Sequence, residues 1–117
     1  MESTEKKKYA VIITDPADQS FYEVLEYLYE HYPIDRAEEV AGELRDIVKR
    51  LEYNPKRGAH EPRLSNRENE YRYILYKRTS RSDIKVIYYI DNRLTTVYVT
   101  DFYPTEKDDR RISDRNQ

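Results

Sequence analysis

At 117 residues, with a formal charge of −2 and no cysteine, the chain fits a single domain and excludes disulfides, a thiol nucleophile and zinc–thiolate sites. Its charged fraction of 38% points toward disorder, but thirteen tyrosines and several β-branched runs demand packing partners. The longest strongly apolar run, Tyr9–Ile13, is far shorter than the ~20 residues of a membrane-spanning helix, and Met1–Lys8 does not read as a signal peptide. A soluble, cytoplasmic protein without a membrane partner is expected.

Residues 1–7 are polar and read as a disordered tail. Tyr9–Thr14 is short and β-branched, predicting a strand buried on at least one face. Asp15-Pro16 then supplies a helix start, the acid as cap and the proline in the first turn. Phe21, Val24, Leu25, Leu28, Tyr29 and Tyr32 define one face of that helix, which Pro33 ends. A second helix follows, with Asp35 or a neighbour as cap and a stripe of Ala37, Val40, Ala41, Leu44, Ile47, Val48 and Leu51. Asn54-Pro55 stops it, and so short a connection predicts an antiparallel helical hairpin.

Residues 55–70 lack a steady period and read as an irregular linker. Three strands are predicted next, Tyr71–Tyr76, Ile84–Ile90 and Thr95–Phe102, with a basic loop over Lys77–Asp83 and a tight turn at Asp91-Asn92-Arg93. Alternation places Ile84, Val86, Tyr88 and Ile90 toward the core and Lys85, Ile87 and Tyr89 on the opposite surface. The expected fold is therefore α+β: an N-terminal strand, an antiparallel helical hairpin, then a three-stranded antiparallel meander forming one sheet packed on the helices. Residues 8–103 make the domain, and 104–117 a charged C-terminal tail.

Charge is divided unevenly along the chain. Residues 15–53 hold eleven acids against four bases, whereas 56–90 hold nine bases against four acids. The basic segment contains Lys56, Arg57, Arg63, Arg67, Arg72, Lys77, Arg78, Arg81 and Lys85, with tyrosines threaded through it. Cations beside aromatic rings suit single-stranded nucleic acid, and the same groups can hold the charge that develops on phosphorus during metal-free RNA cleavage. Tyr103 and His60 are candidates for proton transfer. The two histidines, His31 and His60, lie in different elements without ligand spacing, so neither a metal nor a cofactor is expected. With only Gly42 and Gly58, the chain has no glycine-rich phosphate loop.

The order of elements from Tyr9 to Phe102 resembles the RelE/ParE superfamily of bacterial toxins from type II toxin–antitoxin systems. The resemblance is carried by Leu51-Glu-Tyr-Asn-Pro-Lys-Arg-Gly58, Tyr71-Arg-Tyr-Ile74 and Ile84-Lys-Val-Ile-Tyr-Tyr-Ile90. It implies a toxin neutralised by a cognate antitoxin, whose acidic or amphipathic segment would cover residues 56–90. RelE-like members cut messenger RNA on the ribosome, whereas ParE-like members inhibit DNA gyrase. The first expectation is a metal-independent, ribosome-associated mRNA endoribonuclease. Arg72 and Lys85 would hold phosphate and Tyr103 would stand in for a catalytic tyrosine, while Lys56, Arg57, Arg63, Lys77, Arg78 and Arg81 would bind nucleic acid. Lys85 stands where arginine is more usual and lacks its planar fork. The alternatives are a non-catalytic gyrase inhibitor and a degenerate member that only binds an antitoxin.

Overall fold

The computed structural model describes residues 7–77, 83–106 and 109–116. Residues 78–82, with Arg78 and Arg81, from the loop expected over Lys77–Asp83, lie outside the described residues, as does nearly all of the N-terminal tail. Five strands form one mixed sheet: β1 (Ala10–Ile13), β2 (Ala59–His60), β3 (Tyr71–Lys77), β4 (Asp83–Asp91) and β5 (Thr96–Pro104). Their order across the sheet is β1-β5-β4-β3-β2, with β1 parallel to β5 and every other pair antiparallel. The expected α+β fold is thus present. The two-residue β2, inside the segment read as irregular, adds a strand that is too short to show a period.

Two helices, α1 (Asp15–His31) and α2 (Ile34–Arg50), cover one face of this sheet. Thr14, rather than Asp15, caps α1: its Oγ1 accepts from the Ala17 amide at 3.3 Å, and Asp15 falls within the first turn. For α2 the cap is Pro33, which has no side-chain acceptor to offer, and Asp35 again lies inside the first turn. The buried stripe of α1 runs Ala17, Ser20, Val24 and Leu28, so it is rotated from the aromatic spacing and leaves Tyr29 exposed. Ser20 belongs to that stripe because its hydroxyl accepts from the Phe102 amide at 2.9 Å, tying α1 to β5. In α2 the expected stripe is the buried one, with Ile47 only partly covered.

These helices enclose Ile74, Ile84, Val86, Tyr88, Val97, Val99 and Phe102 from the sheet. A smaller cluster, Leu64, Ile87, Tyr103 and Ile112, lies on the opposite face. It is closed by a 3-10 turn at Pro62–Leu64 and by the C-terminal helix α3 (Ile112–Arg115). Residues 109–116, part of the stretch set apart as a charged tail, therefore pack on the domain.

Two further details differ from the sequence reading. β1 is an edge strand whose Ile12 and Ile13 are 45% and 44% exposed, and the face expected to be buried is only half-covered, through Tyr9 and Val11 against the helix-side core. The β4–β5 connection spans residues 92–95 rather than a tighter turn. Asp91 Oδ1 accepts from the Arg93 and Leu94 amides, and Thr95 has φ of 50°.

Candidate functional site: two faces of one sheet

Register decides which of the candidate residues meet. Arg72 on β3 lies opposite Tyr88, whereas Lys85 on β4 lies opposite Leu75 and Tyr103. Since Tyr88 packs under the helices and Tyr103 belongs to the cluster on the other face, Arg72 and Lys85 sit on opposite faces of the sheet. Lys85 and Tyr103 are brought together; Arg72 is separated from both.

Arg72 is occupied by its own chain. Its guanidinium donates to the Gly58 carbonyl at 2.7 Å, to the Lys56 carbonyl at 3.3 Å and to Glu70 at 2.8 Å. Next to it, the Tyr88 hydroxyl donates to the Pro55 carbonyl at 2.5 Å and accepts from the Gly58 amide at 3.1 Å. Burial pushes the Tyr88 phenol above its ordinary pKa, keeping it a donor. Arg72 and Tyr88 together pin the 55–58 segment to the sheet.

On the other face, Lys85 Nζ lies 2.8 Å from Glu61 Oε1 and 4.3 Å from the centre of the Tyr73 ring. Glu61 is only 1% exposed, and its second carboxylate oxygen accepts from the Arg63 amide, beginning the 3-10 turn. Tyr103 is likewise 1% exposed, with the Arg115 guanidinium 4.8 Å from its ring centre. Arg115 in turn lies 2.6 Å from Asp101, which is buried and also accepts from Asn116. Arg67 donates to Ser113 and to the Asn116 carbonyl.

The C-terminal segment and the linker therefore grip this face through two carboxylate–cation pairs, each with a buried carboxylate. Glu61, Asp101, Arg115 and Asn116 carry no signal in the sequence reading, and Arg67 stands there only as one member of the basic segment. A β-bulge between Ile87 and Tyr88 explains part of this. It lets Thr100 through as an extra residue, so the alternation that puts Val97 and Val99 under the helices is reversed at Asp101, Phe102 and Tyr103.

The remaining candidates are spread over the surface. Lys56 and Arg57 are exposed on the 3-10 turn after α2, Arg63 is exposed on the next one, and Lys77 ends β3. Exposed His60 lies 3.3 Å from Glu70, and His31 contacts the Tyr27 carbonyl and stacks on its ring. Among the described residues, no group of three or more metal-binding side chains is placed to hold an ion. No described helix is long and apolar enough to cross a membrane.

A mixed five-stranded sheet packed on a helical hairpin is the α+β arrangement that the resemblance to the RelE/ParE superfamily implied. The family model described as the ParE toxin of a type II toxin–antitoxin system, parDE, matches residues 11–108, and the chain belongs to that family. Membership implies a cognate antitoxin. No curated protein and no solved structure matches the chain.

Proposed function

We propose that this toxin acts by binding DNA gyrase and does not cut RNA. The observation that carries this reading is the separation of Arg72 from Lys85 by the thickness of the sheet. A phosphodiester in flight needs its cations, base and acid converging within hydrogen-bonding reach. Here Arg72 clamps a loop, Lys85 faces a buried carboxylate, and Tyr103 is enclosed. The exposed cations Lys56, Arg57, Arg63 and Lys77 supply instead a dispersed basic surface suited to docking on an acidic target.

For the antitoxin, the groove between α1 and the end of β5 is the seat favoured by shape and chemistry. It has a volume of about 350 Å³ and is lined by Val24, Tyr27, Phe102 and Pro104, with Glu23 at the side. Such a groove suits the apolar side of an amphipathic segment.

The test is to induce the protein alone in a bacterial host, following plasmid supercoiling, DNA breaks and messenger RNA ends together. Loss of supercoiling with gyrase-dependent DNA breaks supports the proposal. New translation-dependent RNA ends with normal supercoiling reject it in favour of ribosome-linked cleavage. Normal growth with tight antitoxin binding rejects both actions.

A further inference from the structure

We propose that β1 pairs with β1 of a second copy, joining two sheets edge to edge across a two-fold axis. β1 ends the sheet order, so one side of it has no strand partner among the described residues. The amides of Ala10 and Thr14 point inward, donating to the Thr95 and Val99 carbonyls at 3.0 Å each. By strand alternation the odd-numbered amides point outward. The outward amide of Tyr9 is already taken by the Glu52 carbonyl at 2.7 Å. The open window is therefore Val11 to Ile13, beside the exposed side chains of Ile12 and Ile13.

The charges around this window make it complementary to itself. Lys7 and Lys8 precede the apolar run, and Asp15 and Asp18 follow it. Among the described residues, none of these four forms an ion pair within its own chain. Reversing the strand brings the cationic end of one copy to the anionic end of the other. The parity of the amides fixes the register: Ile12 lies on the axis and Val11 of each copy pairs with Ile13 of its partner. Both outward residues then exchange backbone hydrogen bonds, and the pre-engaged Tyr9 amide is left out of the ladder.

Neither lysine, proline nor a bulge interrupts residues 10–13, the usual devices that keep an edge strand from pairing. The contact is isologous, so the same patch serves both copies and assembly stops at the dimer. An acidic or neutral strand from another protein fits this edge less well, because it would leave Lys7 and Lys8 or the two aspartates without opposite charges. This inference is independent of the gyrase reading and stands or falls on mass and exchange alone.

Sedimentation equilibrium on the full chain tests it, over protomer concentrations from about 1 to 100 μM, since dimer population follows concentration. The expected result is a mass rising from 14.2 kDa toward twice that value, with the rise weakened by added salt. Ile12→Lys should hold the protein monomeric by setting two ammonium groups on the axis. Val11→Pro should do the same by removing an outward donor while sparing the amides that serve β5. Circular dichroism of both variants should match the dilute wild-type protein, as should the melting of Ile12→Lys, while Val11→Pro melts lower because Val11 packs partly against the core. Hydrogen exchange should show the Val11 and Ile13 amides protected only at high concentration. A wild-type protein monomeric throughout, or a dimer untouched by both substitutions, overturns the proposal. So does an edge whose amides become protected only when the antitoxin is added, which would assign it to the antitoxin.

Discussion

Gly58 is the residue where space is tightest. A Cβ built there would stand 2.5 Å from the Tyr88 hydroxyl and 2.6 Å from the Tyr73 carbonyl oxygen. Gly58→Ala should cost about 1–3 kcal/mol, the range for forcing extra volume into packed structure, read from urea unfolding. Adding Tyr88→Phe should give no rescue, because the Tyr73 carbonyl belongs to the β3 backbone and the amide of residue 58 loses its acceptor. Recovery by that second change would show that the hydroxyl alone sets the constraint. A different dependence attaches to Tyr76, whose phenol bonds Glu43 across the α2–β3 contact. Burial first, then that carboxylate, pushes its pKa from 10.0 up to about 12. Its proton is thus held longer in the folded state than in the unfolded one. Stability from this group is complete below pH 10.0 and is lost as pH rises toward about 12. Urea midpoints measured through that interval should fall, and Tyr76→Phe should flatten the fall; an unchanged slope would remove Tyr76 as its source.

At the scale of elements, legibility followed period. α2 announces its buried stripe through Ala37, Val40, Ala41, Leu44 and Val48, and β4 shows its alternation, so these were readable from the chain. β2 spans two residues and leaves no pattern, and the bulge in β5 inverts the alternation just where Asp101 and Tyr103 enter. The edge position of β1 was hidden too, since an apolar run looks the same whether it is central or marginal. The docking of 109–116 depends on Ile112 among many charges, and on the Asp101 carboxylate, which only the bulge turns to that face. Ile112 is fully buried between Leu64 and Tyr103, so Ile112→Ala should lose about 2–5 kcal/mol. Arg115→Ala should cost about 3–5 kcal/mol by stripping the buried Asp101 of its cation. Both should raise amide exchange in 109–116 well before β3 and β4 open. A segment that exchanges freely in the wild type would show that these contacts carry little weight.

Across the whole molecule, the division of charge was legible, but the meaning of its strongest members was not. Sequence gathers Arg72 and Lys85 into one basic segment; pairing sends them to opposite faces, each facing partners that lie in other elements. Both are expected to matter for stability first, which makes a simple loss of toxicity ambiguous. Lys85→Ala alone should cost about 3–5 kcal/mol, because Glu61 stays buried without its cation. Lys85→Met combined with Glu61→Gln removes both charges and keeps similar volumes, so it should regain most of that loss, as paired replacement of a buried ion pair commonly does. If the toxin acts by docking on gyrase, this double variant should be as toxic as the wild type while Lys85→Ala fails in proportion to its unfolded fraction. Arg72→Lys, which keeps the charge but cannot hold the Gly58 and Lys56 carbonyls with one fork, should lower stability by about 1–3 kcal/mol. A double variant that is stable yet harmless would mean that the Lys85 ammonium itself meets the target. That result would return the action to the face bearing Tyr103, and with it the reading of RNA cleavage.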